Sequence, residues 1–146
     1  TPYLVPDESL LRAIRGAAAR GVKVRIIVPE MVDSIMTRYA SRSYYDDLLQ
    51  SGVELHLYRD GLLHTKSITM DGQVSMFGTV NFDMRSLWLN FEVALFVYDD
   101  GFAEKLRELQ QIYLDRSEQV DQEEWSSRSF REQLLENTLR LLSPLL

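Results

Sequence analysis

The sequence predicts one α/β domain, a layered sandwich in which a mixed central β-sheet is flanked by helices. Three observations carry that expectation. Apolar residues recur first at helical and then at alternating spacing along the chain, with short connections marked by Gly and Pro. An Asp-Gly pair separates two alternating runs, the mark of a hairpin and so of antiparallel pairing. A chain of 146 residues, 45% hydrophobic and 26% charged, has the size and composition of a globular domain, one that buries roughly 70% of its unfolded surface.

The elements follow in order. Residues 1–6 read as the end of an extended segment. Asp7 is the N-cap of a helix whose stripe is Leu10, Ile14, Ala17 and Ala18, and Gly21 ends it. Val22, Val24, Ile26 and Val28 alternate as a strand closed by Pro29. A second helix starts at Asp33 or Ser34 and runs to about residue 50. Gly52 stops it, and Val53, Leu55 and Leu57 form the next strand. Residues 64–70 and 73–78 are read as two strands around the two-residue turn Asp71-Gly72. Residues 90–98 are nearly continuous in apolar side chains apart from Glu92, which predicts a central strand. Asp99 and Asp100 open a helix with Phe102, Leu106, Leu109 and Tyr113 on one face. The acidic stretch 115–126 reads as a solvated linker. Residues 127–146 form a C-terminal amphipathic helix, with Phe130, Leu134, Leu135, Leu139 and Leu142 as its docking stripe and Pro144 as its stop.

Composition removes several kinds of function. With no cysteine there is no disulfide, thiolate nucleophile or cysteine-held zinc, and two histidines do not suffice for a multi-histidine metal centre. No cofactor is expected. The formal charge is −6, with nine Lys/Arg against eight Asp/Glu over 1–66 and seven against fourteen over 67–146. Extended nucleic-acid binding needs a basic face that this balance does not offer. No stretch is long and apolar enough to span a bilayer and no signal peptide is visible, so the chain is expected to be soluble as it stands. Because it starts at Thr1 and not at methionine, a fragment is expected, and an upstream anchor or targeting segment fits that start.

The chemistry-bearing groups cluster between residues 64 and 92. His64 and Lys66 are two residues apart, so on an extended segment they face one way. Asn81 falls just past the second hairpin strand, near where the first begins, and Glu92 shares a face with Asn90. These groups suit attack on a phosphodiester. The imidazole can act as a nucleophile when a carboxylate, here Glu92, orients its other nitrogen. Lys66, Asn81 and the Thr79 hydroxyl can meet the charge on the non-bridging oxygens, with no metal required. The Asp-Gly context of Asp71 favours a turn role over direct catalysis. Arg85 either binds a phosphate or pairs with Asp83, and Asn90 either supports the site or ends a strand.

The run His64-x-Lys66-x4-Asp71-x6-Gly78-Thr79-x-Asn81 resembles the HKD motif of the phospholipase D superfamily, with threonine where serine is commoner. Six fixed positions are improbable by chance. Beyond the motif, 1–9, 42–45, 81–86, 89–92 and 141–146 are similar to the C-terminal half of bacterial cardiolipin synthases. The resemblance implies a phospholipase D-like sandwich, and catalytic roles for His64, Lys66, Asp71, Asn81 and Glu92. It further implies substrate contacts at Thr79, Arg85 and Asn90. The implied reaction moves a phosphatidyl group between two phosphatidylglycerol molecules through a phosphohistidine and releases glycerol. In such enzymes one histidine becomes phosphorylated while that of the other half serves as acid and base, so His64 is open to either role. A phospholipid substrate, a first HKD half or a second copy, and a membrane surface are the implied partners, with cytoplasmic-side attachment to the cell membrane. The alternative is a single-HKD phosphodiesterase or nuclease working as a homodimer.

Overall fold

The computed structural model describes residues 1–143. The last three residues of the C-terminal segment, Pro144 among them, lie outside the described residues. The chain runs β1 (Leu4–Val5), α1 (Glu8–Ala19), β2 (Arg25–Pro29), α2 (Ile35–Arg42), α3 (Tyr45–Leu49), β3 (Glu54–Tyr58), β4 (Ser67–Met70), β5 (Val74–Gly78), β6 (Phe82–Asp83), α4 (Met84–Trp88), β7 (Ala94–Tyr98), α5 (Asp100–Asp115), β8 (Ser117–Gln119), α6 (Gln122–Ser126) and α7 (Phe130–Arg140). This is the expected mixed α/β class, but the sheet falls into three hydrogen-bonded pieces: β1-β6, β2-β3-β8 and β4-β5-β7. Pro2 and Pro6 bracket β1, and a residue without an N–H cannot extend a ladder, so this link stays two residues long. None of the described helices is long and apolar enough to cross a membrane.

Helix α1 forms as the sequence predicts. The Asp7 carboxylate accepts from Leu10 N at 2.8 Å, and Gly21 leaves the helix at φ +88°. Its N–H reaches Ala18 O and that of Val22 reaches Ala17 O, so orphan carbonyls are satisfied. The helix expected over 34–50 is interrupted at residues 43–44. There the Ser43 hydroxyl donates to Ala40 O at 2.6 Å, and a side chain that competes for helix carbonyls in this way favours a break. Parallel β2 and β3, with β1, α1 and α3, enclose the core: Leu4, Val5, Leu11, Ile26, Val28, Leu48 and Leu55 are buried in one cluster with Trp125.

Three expectations fail outside that core. The 115–126 stretch is not a linker. β8 pairs antiparallel with β3, and α6 carries the buried Trp125. An edge strand is held by its backbone, so an acidic sequence can form one when Arg59 meets Glu118 across the pair. The strand predicted over 90–98 is short, and it lies at the edge of its sheet with β5 central. Finally, α7 docks by the opposite face from the one predicted. Glu136 is 1% exposed while Phe130 is 76% exposed, and Leu134, Leu135 and Leu142 also face outward. The Glu136 carboxylate accepts from Arg42 Nε at 2.7 Å and from Arg128 at 3.1 Å, and both guanidiniums lie over the Trp125 ring. Two paired cations outweigh the apolar stripe in setting how the helix sits.

Helix α5 joins the two larger sheets. Tyr113 meets Tyr58 of β3 edge to face, with ring centroids 5.9 Å apart. Phe102 stacks on Phe77 of β5 at 5.5 Å, and Gln110 bonds the Ser67 and Thr69 hydroxyls of β4.

Candidate active site

The site forms where the sheet β4-β5-β7 meets the β1-β6 pair. His64 and Lys66 lie in the extended lead-in to β4, and the ladder reaches back to them through Gly78 N, which donates to Lys66 O at 3.2 Å. That bond brings the end of β5, and with it residues 79–81, beside Lys66. The Lys66 ammonium lies 3.0 Å from His64 Nδ1, 3.2 Å from Nε2 and 3.0 Å from the His64 carbonyl oxygen. Burial pushes the Lys66 ammonium below its ordinary pKa, opposed by the carboxylates of Glu92 and Asp83. The ammonium is therefore part desolvated, which strengthens its pull on a nearby anion.

Gly78 is required by a close approach. A Cβ there would lie 2.0 Å from Val93 O, where the lead-in to β7 crosses the end of β5. The crossing is fastened by Thr79, whose N–H donates to Val93 O and whose hydroxyl accepts from Val93 N, both at 2.9 Å. Thr79, expected as a substrate donor, thus has its hydroxyl engaged in holding residues 91–93 in place. Those residues present Glu92. Its carboxyl is held below the usual carboxylate range by Thr79 first, then by the Asn90 amide, which donates at 3.2 Å, with Lys66 adding to both. No hydrogen bond joins Glu92 to the His64 ring among the described residues. The carboxylate expected to orient the imidazole acts on the Lys66 ammonium through its charge, without an ion pair between them among the described residues.

Asp71 is not brought to this group. It sits in the hairpin loop at φ +53° beside Gly72 at φ +73°, and Met70 pairs with Val74 across a three-residue connection in place of the two-residue turn. Five residues of extended chain from Lys66 amount to about 16 Å. The motif's aspartate thus shapes the turn by tolerating a left-handed backbone. The second histidine, His56, lies on β3 with Glu54 3.8 Å away, and burial lowers its pKa. Only His64 stands with the motif.

Between Tyr3, α2 and α4 opens a cavity of about 210 Å³, lined by Tyr3, Asp33, Ser34, Thr37, Asn81 and Arg85, with Val5, Asp83, Ser86 and Asn90 completing the wall. Arg85 forms no ion pair with Asp83 among the described residues. Asp83 instead caps α4 by accepting from Ser86 N at 2.6 Å. The Tyr3 ring, which lines this cavity, meets the His64 ring edge to face, with centroids 6.5 Å apart. Tyr3, Thr37 and Ser86 carried no sequence signal for a site. Asp33 and Ser34 read as helix-cap residues, and Ser34 is indeed the N-cap of α2.

The fold has solved counterparts. It superposes on the crystal structure of a phospholipase D family member, Nuc, from Salmonella typhimurium with a TM-score of 0.70, 23% identity, and 81% of this chain and 77% of that one covered. Phosphatidylserine synthase from Haemophilus influenzae Rd KW20 gives 0.74 at 20% identity, over all of this chain and 40% of its own. The fold class is therefore that of the phospholipase D family. In sequence, the family model described as "Cardiolipin synthase, PLD-like domain" matches residues 1–113. The chain is 51% identical to cardiolipin synthase A of Erwinia tasmaniensis and 52% identical to that of Serratia proteamaculans, over all 146 residues in each case. It spans 30% of the length of those relatives. The chain belongs to the cardiolipin synthase PLD-like domain family.

Proposed function

We propose that this chain is the second catalytic half of a cardiolipin synthase, moving a phosphatidyl group between two phosphatidylglycerol molecules. In the first step an imidazole nitrogen attacks phosphorus, a P–N bond forms, and the P–O bond to glycerol breaks. The leaving oxygen takes its proton from the acid partner. In the second step a hydroxyl of another phosphatidylglycerol attacks the phosphohistidine and gives its proton to the partner imidazole that was deprotonated in the first step, and the P–N bond breaks. His64 supplies one of the two imidazoles, nucleophile or acid/base, and the other comes from the first HKD half or a second copy. Lys66 and Asn81 hold the non-bridging oxygens. Glu92 keeps the ammonium in place, with Asn90 and Thr79 fixing Glu92, and Arg85 meets a lipid phosphate. The membrane surface, on the cytoplasmic side, is where such a substrate is met.

The observation that carries this reading is the Lys66 ammonium 3.0 Å from the His64 imidazole, beside the residues the ladder brings in from β5. The test is His64→Asn in the intact enzyme, with phosphatidylglycerol vesicles as substrate. Cardiolipin formation is expected to fall by about 10³-fold or more, as loss of one general acid/base or nucleophile entails, while the far-UV spectrum stays unchanged. The 146-residue chain alone, holding one such histidine, is expected to be nearly inactive as a proven monomer. Undiminished synthesis by the His64 variant removes this reading. Cleavage of DNA with phosphatidylglycerol untouched supports the homodimeric nuclease instead.

A further inference from the structure

We infer that the cavity between Tyr3, α2 and α4 is a polyol subsite that reads the free hydroxyls of the glycerol headgroup. This rests on the transferase reading and adds the alcohol specificity of the same site. Size permits it. An apolar cavity of about 150 Å³ accommodates benzene, a ligand of six heavy atoms, and this one measures about 210 Å³. Glycerol also has six.

The lining selects among ligands of that size. Asp33 and Asp83 bring two carboxylates against the single guanidinium of Arg85, so the cavity does not favour a second free phosphate. Its other polar groups are hydroxyls and amides. Asn81 Oδ1 is buried with no hydrogen-bond partner among the described residues, so a ligand that can donate to it is favoured there. An alcohol hydroxyl both donates and accepts, so it can satisfy an amide oxygen and a serine hydroxyl together.

Asp33 is held ready for a further hydroxyl. The Tyr3 phenol donates to its Oδ1 at 2.8 Å. Burial, with the Asp33 carboxylate next, pushes the phenol up to about 12, so it keeps that proton at working pH. The second Asp33 oxygen has no hydrogen-bond partner among the described residues and the residue is exposed, so a diol hydroxyl can donate to it. Over two successive in-line displacements through a phosphohistidine, the first alcohol leaves from, and the second arrives at, the side of phosphorus opposite the nucleophilic imidazole. One subsite therefore reads both the glycerol that leaves and the headgroup that attacks.

The test offers the intact enzyme phosphatidylglycerol vesicles with deuterated glycerol and 1-propanol in equal amounts. The ratio of deuterated phosphatidylglycerol to phosphatidylpropanol is read by mass spectrometry. A misfolded fraction lowers both products alike, so the ratio reports only the subsite. The wild type is expected to favour glycerol by about tenfold or more, modest beside the 10⁴ or more of a fully enclosed hydroxyl site because Asp33 is exposed. Asp33→Ala and Thr37→Val are each expected to lower the ratio by about fivefold. Wild type without a preference for glycerol, or an unchanged ratio in both variants, overturns the subsite and leaves the transferase reading standing. Wild type that makes neither product overturns both.

Discussion

The β2-β3 layer and the β4-β5-β7 sheet are built from neighbouring stretches of one chain but have opposite surroundings. In the first, Ile26, Val28, Leu48 and Leu55 are sealed into a single cluster, and α7 is clamped to α2 through the buried Glu136. In the second, Leu95, Phe96 and Tyr98 of β7 lie open, as do Trp88, Leu89 and Phe91 just before it. The first region carries the fold and the second holds the proposed site. An apolar strand at an uncovered sheet edge is what a half-site presents when its other face is completed by another unit. That view supports the proposed pairing with a first HKD half or a second copy.

The sharpest way to break the comparison is to unclamp the packed side. Glu136→Gln removes the carboxylate that Arg42 and Arg128 share and leaves Arg128 with Asp46 alone, and loss of one partner from a buried ion group costs about 3 kcal/mol or more. Urea unfolding of the chain is expected to show that loss. A shift below about 1 kcal/mol would mean that α7 is held by other contacts. Replacing Arg42, Arg128 and Glu136 with apolar residues, and Asp46 with Asn so that no partner is left charged and alone, should restore most of the stability, because the desolvation cost leaves with them.

Leu55→Ala comes next. This side chain is fully buried in the cluster, and removing three carbons there costs about 2–5 kcal/mol through lost transfer energy and the cavity left behind. A midpoint close to that of the wild type would show that the layer relaxes around the gap and is less tightly packed than its burial indicates.

The packed region was also the more legible in the sequence. Asp7, Gly21 and the alternation from Val22 to Val28 are local signals, and α1 and β2 follow from them. The pairing of His64 with Lys66 was likewise legible, because two residues of extended chain suffice to bring the groups together. The misses needed partners distant in sequence. Glu136 is bonded to Arg42 across 94 positions, and no periodicity in α7 reveals it. Tyr3 and Asp33 meet across 30 positions. The apolar run before Tyr98 was read as a buried central strand, yet β7 lies at the sheet edge with Leu95, Phe96 and Tyr98 exposed. Hydropathy reports what a strand needs, and not whether the same chain supplies it.

The smallest effect is the most telling. Phe96 is 55% exposed on β7. Phe96→Ser is expected to change the stability of the 146-residue chain by less than about 0.5 kcal/mol, the ordinary range for a surface position. If the open sheet is covered in the intact enzyme, the same change there removes a buried aromatic and costs about 1.5–3 kcal/mol. The two proteins measured side by side under one denaturant therefore separate a surface that is merely exposed from one awaiting its cover. Equal small shifts in both would end the idea that β7 faces another unit. A large shift in the chain alone would erase the contrast between the two regions, since the open sheet would then be as tightly held as the core.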